Sequence, residues 1–169
     1  GFKGPIYPVN PKGGELMGLK VYPTLKEIPS SIDLAVIIIP AKFVPQAVEE
    51  CGTKGVKHII INSGGFSETG AEGAAIEKDF LARAKRYGIR ILGPNCQGII
   101  NSDAAIRAYC NFTFTKPEPG FISIVALSGG VAEVDDFDLL LAGAALGVLE
   151  LHSQAVADKA IHLAVGGDG

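Results

Sequence analysis

The chain has 169 residues, 47% hydrophobic and 20% charged, with 22 glycines, 10 prolines and no tryptophan. That balance suits a compact α/β protein with many tight connections and excludes a disordered one. A net charge of −3 gives no general attraction to nucleic acid or to an anionic membrane, so any phosphate recognition must be local.

Cys51, Cys96 and Cys110 are widely spaced and form no CxxC pair. This predicts reduced thiols in the cytoplasm rather than a disulfide framework, and no metal site. No apolar run approaches membrane-span length, so a soluble protein is expected. The opening Gly1-Phe2-Lys3-Gly4-Pro5 has no initiator Met and runs directly into an apolar stretch, which reads as a fragment.

Ile6-Tyr7-Pro8-Val9 is predicted as a short strand, followed by a turn at Asn10-Pro11-Lys12-Gly13-Gly14. In a dinucleotide-binding unit the tip of the second strand offers an acid to a free ribose and a cation to a phosphorylated one. This tip offers Asn10 and Lys12 and no acid before Glu15. It therefore suits a ribose carrying an extra phosphate, as in NADP or coenzyme A, unless Lys12 is simply a solvated turn lysine.

Residues 24–29 allow at most one helical turn. The β-branched run over 33–39 predicts a strand buried on both faces and stopped by Pro40. Phe43, Val44, Ala47, Val48 and Cys51 fall on one helical stripe, and Gly52 and Gly55 close that helix. A buried strand is expected over 56–60, and it ends in Ile61-Asn62-Ser63-Gly64-Gly65-Phe66-Ser67-Glu68-Thr69-Gly70. There an apolar run gives way to small polar residues and glycines, the mouth of a ligand site.

Ile76, Phe80, Leu81, Ala84 and Tyr87 then recur at helical spacing, with a charged outer face on which Asp79 and Arg83 can pair. A strand over 89–92 leads to a second rigid tip, Gly93-Pro94-Asn95-Cys96-Gln97-Gly98. Four strand tips, at Asn10, Pro40, Asn62 and Pro94, are expected on one edge of a parallel sheet. Amide side chains and backbone N–H groups there read as a binding domain more than a reaction centre. Cys96 lacks a nearby His or acid, which favours a packing or ligand-contacting thiol over a nucleophile.

A closing strand or hairpin is expected over 101–115, and Lys116-Pro117-Glu118-Pro119-Gly120 has the composition of a linker. The predicted domains are 1–116 and 117–169. In the second, a strand over 121–127 runs into Ser128-Gly129-Gly130, which opens a helix and offers an anion site. His152 and His162 have no acidic or metal-ligand neighbours at useful spacing and read as structural.

The motifs at Ile6 to Gly14, Asn62 to Gly70, Gly93 to Gly98 and Ser128 to Gly130 occur in order. Together they resemble the NDP-forming acyl-CoA synthetases, which include the succinyl-CoA synthetase α subunit and the ADP-forming acetate-CoA ligases. The resemblance covers residues 1–134 and fades beyond them. It implies a Rossmann-type CoA-binding domain, here without its first strand and glycine-rich phosphate turn, followed by the start of a flavodoxin-like ligase domain. It also implies an acid–CoA ligase that interconverts acyl-CoA, ADP and phosphate with a small carboxylic acid, CoA and ATP through an acyl phosphate and a phosphohistidine.

On that basis Lys12 would contact the phosphorylated end of CoA, and Asn62, Ser63 and Gly64 would line its cleft. Pro40, Asn95 and Cys96 would border the pantetheine arm, while Ser128, Gly129 and Gly130 would receive phosphate. The phosphorylated histidine would lie outside this chain, which alone would be inactive. ADP or ATP with Mg would belong to an ATP-grasp domain or β subunit, and the intact enzyme would be an oligomer. A non-catalytic CoA-binding module, such as the ligase-like part of a protein acetyltransferase, is the alternative. An NADP-dependent oxidoreductase is disfavoured, because no proton-relay arrangement lies near the strand tips.

Overall fold

The computed structural model describes residues 2–111, together with 117, 119, 120, 123 and 125. Residues 3–98 form one unit, and residues 1–2 with 99–169 form another. The expected helix after Ser128-Gly129-Gly130, and His152 and His162, lie outside the described residues.

The first unit is built on a three-stranded parallel sheet in the order β3-β4-β5. Its strands are β3 (Leu34–Ile37), β4 (His58–Ile61) and β5 (Arg90–Leu92). Helix α1 (Val44–Lys54) links β3 to β4, and α2 (Ala71–Tyr87) links β4 to β5. The register pairs Ala35 with Ile59 and Ile59 with Ile91, and pairs Ile37 with Ile61. Side chains alternate across a strand, so these residues share the face that packs on the helices. They form one core with Val44, Val48, Cys51, Val56, Phe66, Phe80, Ala84 and Ile89. Phe66 and Phe80 meet edge to face with centroids 5.3 Å apart.

The expectation of a strand over 33–39 buried on both faces is corrected in two ways. The ladder ends at Ile37, because the N–H of Ile39 turns to the hydroxyl of Ser63 instead of a neighbouring strand. Val36 and Ile38, on the face away from the helices, are exposed at 41% and 69%. Two members of the predicted helical stripes also differ. Phe43 lies in a 3-10 turn (Ala41–Phe43) before α1, with Lys42 over its ring, and is exposed. Leu81 is exposed on α2.

Both helices end in left-handed glycines. Gly55 has φ 91° and Gly88 has φ 64°, and the following residues, Val56 and Ile89, bond back to Cys51 and Ala84. Gly52 serves packing and not the cap: a Cβ there would run into the Tyr87 ring of α2. Tyr87 in turn donates to Glu49 Oε1 at 2.5 Å. The Asp79–Arg83 pair forms as expected, at 2.9 and 3.1 Å, and Arg83 also reaches Glu49 at 3.5 Å.

The N-terminal stretch departs from its prediction. Residues 6–9 form no strand. Val9 makes one isolated parallel bridge to Tyr22, with Tyr22 N–H donating to Pro8 O and Asn10 N–H to Tyr22 O. Pro5, Pro8 and Pro11 have no N–H to give, so a continuous ladder cannot run through them. The chain instead makes an antiparallel hairpin, β1 (Gly14–Leu16) and β2 (Leu19–Val21). Its two turn residues, Met17 (φ 51°) and Gly18 (φ 80°), are both left-handed, as a tight hairpin turn requires.

Beyond β5 the described residues include β6 (Gly98–Asn101), which begins at the last residue of the first unit, and β7 (Ala108–Asn111), paired in a two-stranded sheet. Asp103 organises their connection. Its side chain accepts from Ala105 N–H at 2.7 Å, and its carbonyl accepts from Ile106 and Arg107. β7 falls within the 101–115 stretch where a closing strand or hairpin is expected, but its partner β6 starts at Gly98, on the tip that follows β5, and residues 112–115 lie outside the described residues.

Gly52→Ala tests the helix contact. It should lower the unfolding free energy by ~1–3 kcal/mol, the usual cost of overpacking, measured by urea denaturation. An unchanged midpoint would mean that Tyr87 swings aside freely.

Candidate functional site

The parallel register brings the carboxyl ends of β3, β4 and β5 to one edge of the sheet. There the Pro40, Ser63 and Asn95 tips are bound to one another. Asn62 N–H continues the ladder to Ile37 O at 3.1 Å. Ser63 then ends it. Its hydroxyl accepts Ile39 N–H at 3.0 Å, and its carbonyl accepts Asn95 N–H at 2.9 Å. One serine thus ties the middle tip to both neighbours.

Asn62 is 8% exposed, and its amide nitrogen donates to the carbonyls of Cys96 at 2.9 Å and Gln97 at 3.0 Å. It therefore holds the tip after β5 in place. Its Oδ1 is buried with no hydrogen-bond partner among the described residues. The Gly93–Pro94 peptide is cis, and Asn95 sits in the left-handed region at φ 51°. A Cβ on Gly93 would collide with the Ile61 carbonyl, so this close approach of β5 to β4 requires glycine.

Between these tips runs Gly64-Gly65. A Cβ on Gly64 would lie 3.2 Å from Asn95 Oδ1 and 3.3 Å from Glu68 Oε1. Gly65 has φ 101°, and a Cβ there would lie 3.2 Å from the Ala41 methyl. Bare backbone therefore fills a narrow slot between the β3 and β5 tips. Phe66, fully buried, anchors the far end of the loop. Thr69 bonds to its carbonyl through both N–H and hydroxyl, at 2.9 and 2.8 Å. Gly73 lets α2 pack directly against that same carbonyl.

Glu68 is the residue that sequence reasoning passed over. Its carboxylate accepts Gly65 N–H at 2.6 Å. The N–H of Gly65, and then those of Glu68 and Phe66, hold its carboxyl below the usual glutamate range. In Gly65-Phe66-Ser67-Glu68 the acid lies three residues after the glycine, near enough along the chain for its side chain to reach back to that N–H.

Cys96 is half-buried, with its thiol toward Ile61 O at 3.4 Å and Leu92 O at 3.8 Å. Burial pushes its pKa up, which is the opposite of what an activated nucleophile needs. Cys51 is pushed up to about 12 by burial and then by Glu50, and burial raises Cys110. Lys12 takes no part in the contacts that join the three tips. It is exposed on an Asx turn, with its N–H donating to Asn10 Oδ1 at 3.0 Å. The expectation that the Asn10 tip ends a strand of the sheet is corrected, because the stretch before it is not a strand. The described residues contain no group of three or more His, Cys, Asp or Glu that could hold a metal ion. They contain no helix long and apolar enough to cross a membrane.

Residues 2–102 match the CoA binding domain family. The chain belongs to that family. The chain is 46% identical over 128 residues to acetate–CoA ligase [ADP-forming] I of Archaeoglobus fulgidus, covering 76% of this chain and 18% of the relative. It is 47% identical over 135 residues to the α subunit of acetate–CoA ligase [ADP-forming] I of Pyrococcus furiosus, covering 78% and 29%. Among solved structures it is similar to the dinucleotide forming acetyl-coenzyme A synthetase 1 of Ca. Korarchaeum cryptofilum in complex with phosphate and ADP. That match has a TM-score of 0.71 and 37% identity, and covers 78% of this chain and 27% of that one. The chain thus spans less than a third of the length of these relatives, and its fold is the α/β, Rossmann-like fold of the family.

Two predictions follow from the tip geometry. Asn62→Asp leaves the Cys96 and Gln97 carbonyls without donors and places a buried charge beside them. It should cost ~2–4 kcal/mol of stability in denaturant titration, and a loss near zero would mean that the β5 tip does not depend on Asn62. With iodoacetamide at neutral pH, Cys51 should be alkylated only on unfolding and Cys96 more slowly than a free thiol. Cys96 reacting faster than free cysteine would contradict the buried-thiol assignment.

Proposed function

We propose that this chain is the CoA-binding part of an ADP-forming acid–CoA ligase. The observation that carries the reading is the set of three joined strand tips closed by the bare, tightly packed backbone of Gly64-Gly65, in a chain of the CoA binding domain family. Ligands of open parallel sheets bind beyond the carboxyl ends of the strands, where backbone can come close to them. Backbone held this tightly between neighbouring tips, with no side chain of its own, gives a fixed edge that an extended, flexible ligand can lie against.

In this proposal Asn62, Ser63 and Gly64 form one wall of the cleft, Asn62 and Ser63 by fixing the backbone and Gly64 by letting Asn95 and Glu68 close in on it. Pro40, Asn95 and Cys96 border the pantetheine arm on either side. Cys96 contributes shape, since its thiol is turned toward backbone carbonyls. Lys12, exposed on its own turn, meets the 3′-phosphate as a flexible cation, supported by charge and not by a preformed contact. Residues 1–116 are taken as the CoA-binding domain and 117–169 as the start of a flavodoxin-like ligase domain, in which Ser128, Gly129 and Gly130 receive phosphate.

The reaction assigned to the whole enzyme interconverts acyl-CoA, ADP and phosphate with acid, CoA and ATP. The acyl phosphate and phosphohistidine steps, the Mg-dependent nucleotide site and oligomer assembly fall to parts beyond this chain, including an ATP-grasp domain or subunit. The names of the relatives, ADP-forming acetate–CoA ligases, support that class of reaction. The role left to these residues is to bind and orient CoA without acid–base chemistry.

Calorimetric titration with CoA and with NADP tests the reading. CoA should bind and NADP should not, whereas NADP binding alone would overturn it. Lys12→Ala should weaken CoA by ~1–3 kcal/mol, the range of a charge-assisted hydrogen bond, and leave 3′-dephospho-CoA nearly unaffected. Equal losses for both ligands would remove Lys12 from the phosphate.

A further inference from the structure

The glycine loop after β4 carries an anion of its own. Glu68 Oε1 accepts Gly65 N–H at 2.6 Å and lies 3.3 Å from the point that a Cβ on Gly64 would occupy. A second acid stands close by, since Glu77 Oε2 accepts Ser67 N–H at 3.1 Å. Glycine loops that cradle phosphate do so with unpaired N–H groups and no fixed negative charge facing the ligand. Here a carboxylate already uses the Gly65 donor, and a phosphate brought to the same place would meet like charge instead of a free N–H. The loop is meanwhile held at Ser63, whose carbonyl accepts Asn95 N–H, and Ala41 leaves little room for a side chain at Gly65. Glu68 is thus the fastening at Gly65 of a loop already tied at Ser63, Phe66 and Ser67.

We propose that Glu68 is a positioning and specificity residue of this cleft. It locks the Gly64-Gly65 slot in shape and reserves that wall for the uncharged amide arm of CoA, while the phosphates bind elsewhere. This rests on the CoA reading above and adds which part of the ligand the loop touches. It also distinguishes this loop from a phosphate-binding turn, which its glycines alone would suggest.

The test compares CoA with adenosine 3′,5′-bisphosphate, which has the nucleotide end and no arm, by calorimetry on wild type, E68A and E68Q. E68A should bind CoA about tenfold more weakly, the size of one charge-assisted hydrogen bond. Its affinity for the bisphosphate should stay within about twofold of wild type, as for a ligand that misses the loop. E68Q keeps an oxygen that can accept Gly65 N–H and should recover most of the CoA affinity. Unchanged CoA affinity in E68A, or equal losses for both ligands, would overturn the proposal and leave the CoA reading standing. Wild type that binds neither ligand would overturn both.

If E68A does not fold, the Gly65 amide resonance decides. In wild type it should titrate with the Glu68 carboxyl, with a midpoint below the usual glutamate range, and in E68Q that titration should vanish. A wild-type Gly65 amide that does not move through the acid range would show that the carboxylate does not hold the loop.

Discussion

Everything distinctive about this edge of the sheet depends on Ser63. Its hydroxyl takes the N–H of Ile39 and its carbonyl takes the N–H of Asn95, so three strand ends that would otherwise diverge are fastened at one residue. Strand ends are where a sheet runs out of ladder partners, and their N–H and C=O groups must be satisfied some other way. Here Ser63 and Asn62 satisfy them from the middle strand. The flanking glycines then become useful, because a fixed backbone without side chains makes a slot, whereas a loose one makes only a flexible loop.

The parallel sheet and its two helices were legible because their sequence signals are long and periodic. The β-branched run near Ile37, the stripe through Val48 and Cys51, and the stripe through Phe80 and Ala84 each had many residues pointing one way. The misses have local causes. Residues 6–9 looked apolar enough for a strand, but Pro8 within them and Pro5 and Pro11 on either side lack the donors a ladder needs. The β1–β2 hairpin was hidden because its first left-handed turn residue is Met17, not the Asn, Asp or Gly that marks such turns. Phe43 shared the α1 periodicity and still fell outside the core, since a 3-10 turn before the helix shifts its direction.

The site was partly legible in the same sense. Asn62, Ser63, Gly64, Asn95 and Cys96 were picked out as tip residues, and the parallel register accounts for their meeting. What the sequence could not supply was the direction of their bonds. Asn62 is turned inward to brace the neighbouring tip, and Cys96 points to carbonyls. The result is a division of labour in which side chains fix the backbone, and in the proposed cleft that backbone is the surface offered to CoA. Such a division suits binding and orientation, and it fits a chain whose family is defined by CoA binding and whose relatives are much longer ligases.

The central claim is that CoA lies across the joined tips of β3, β4 and β5. The most direct measurement is amide chemical-shift mapping of the isotope-labelled protein during a CoA titration. The account predicts that the largest changes fall on Ala41, Ser63, Gly64, Gly65 and Asn95. Saturable changes that leave those amides still and gather instead on the outer helix face, around Glu49 and Arg83, would contradict it.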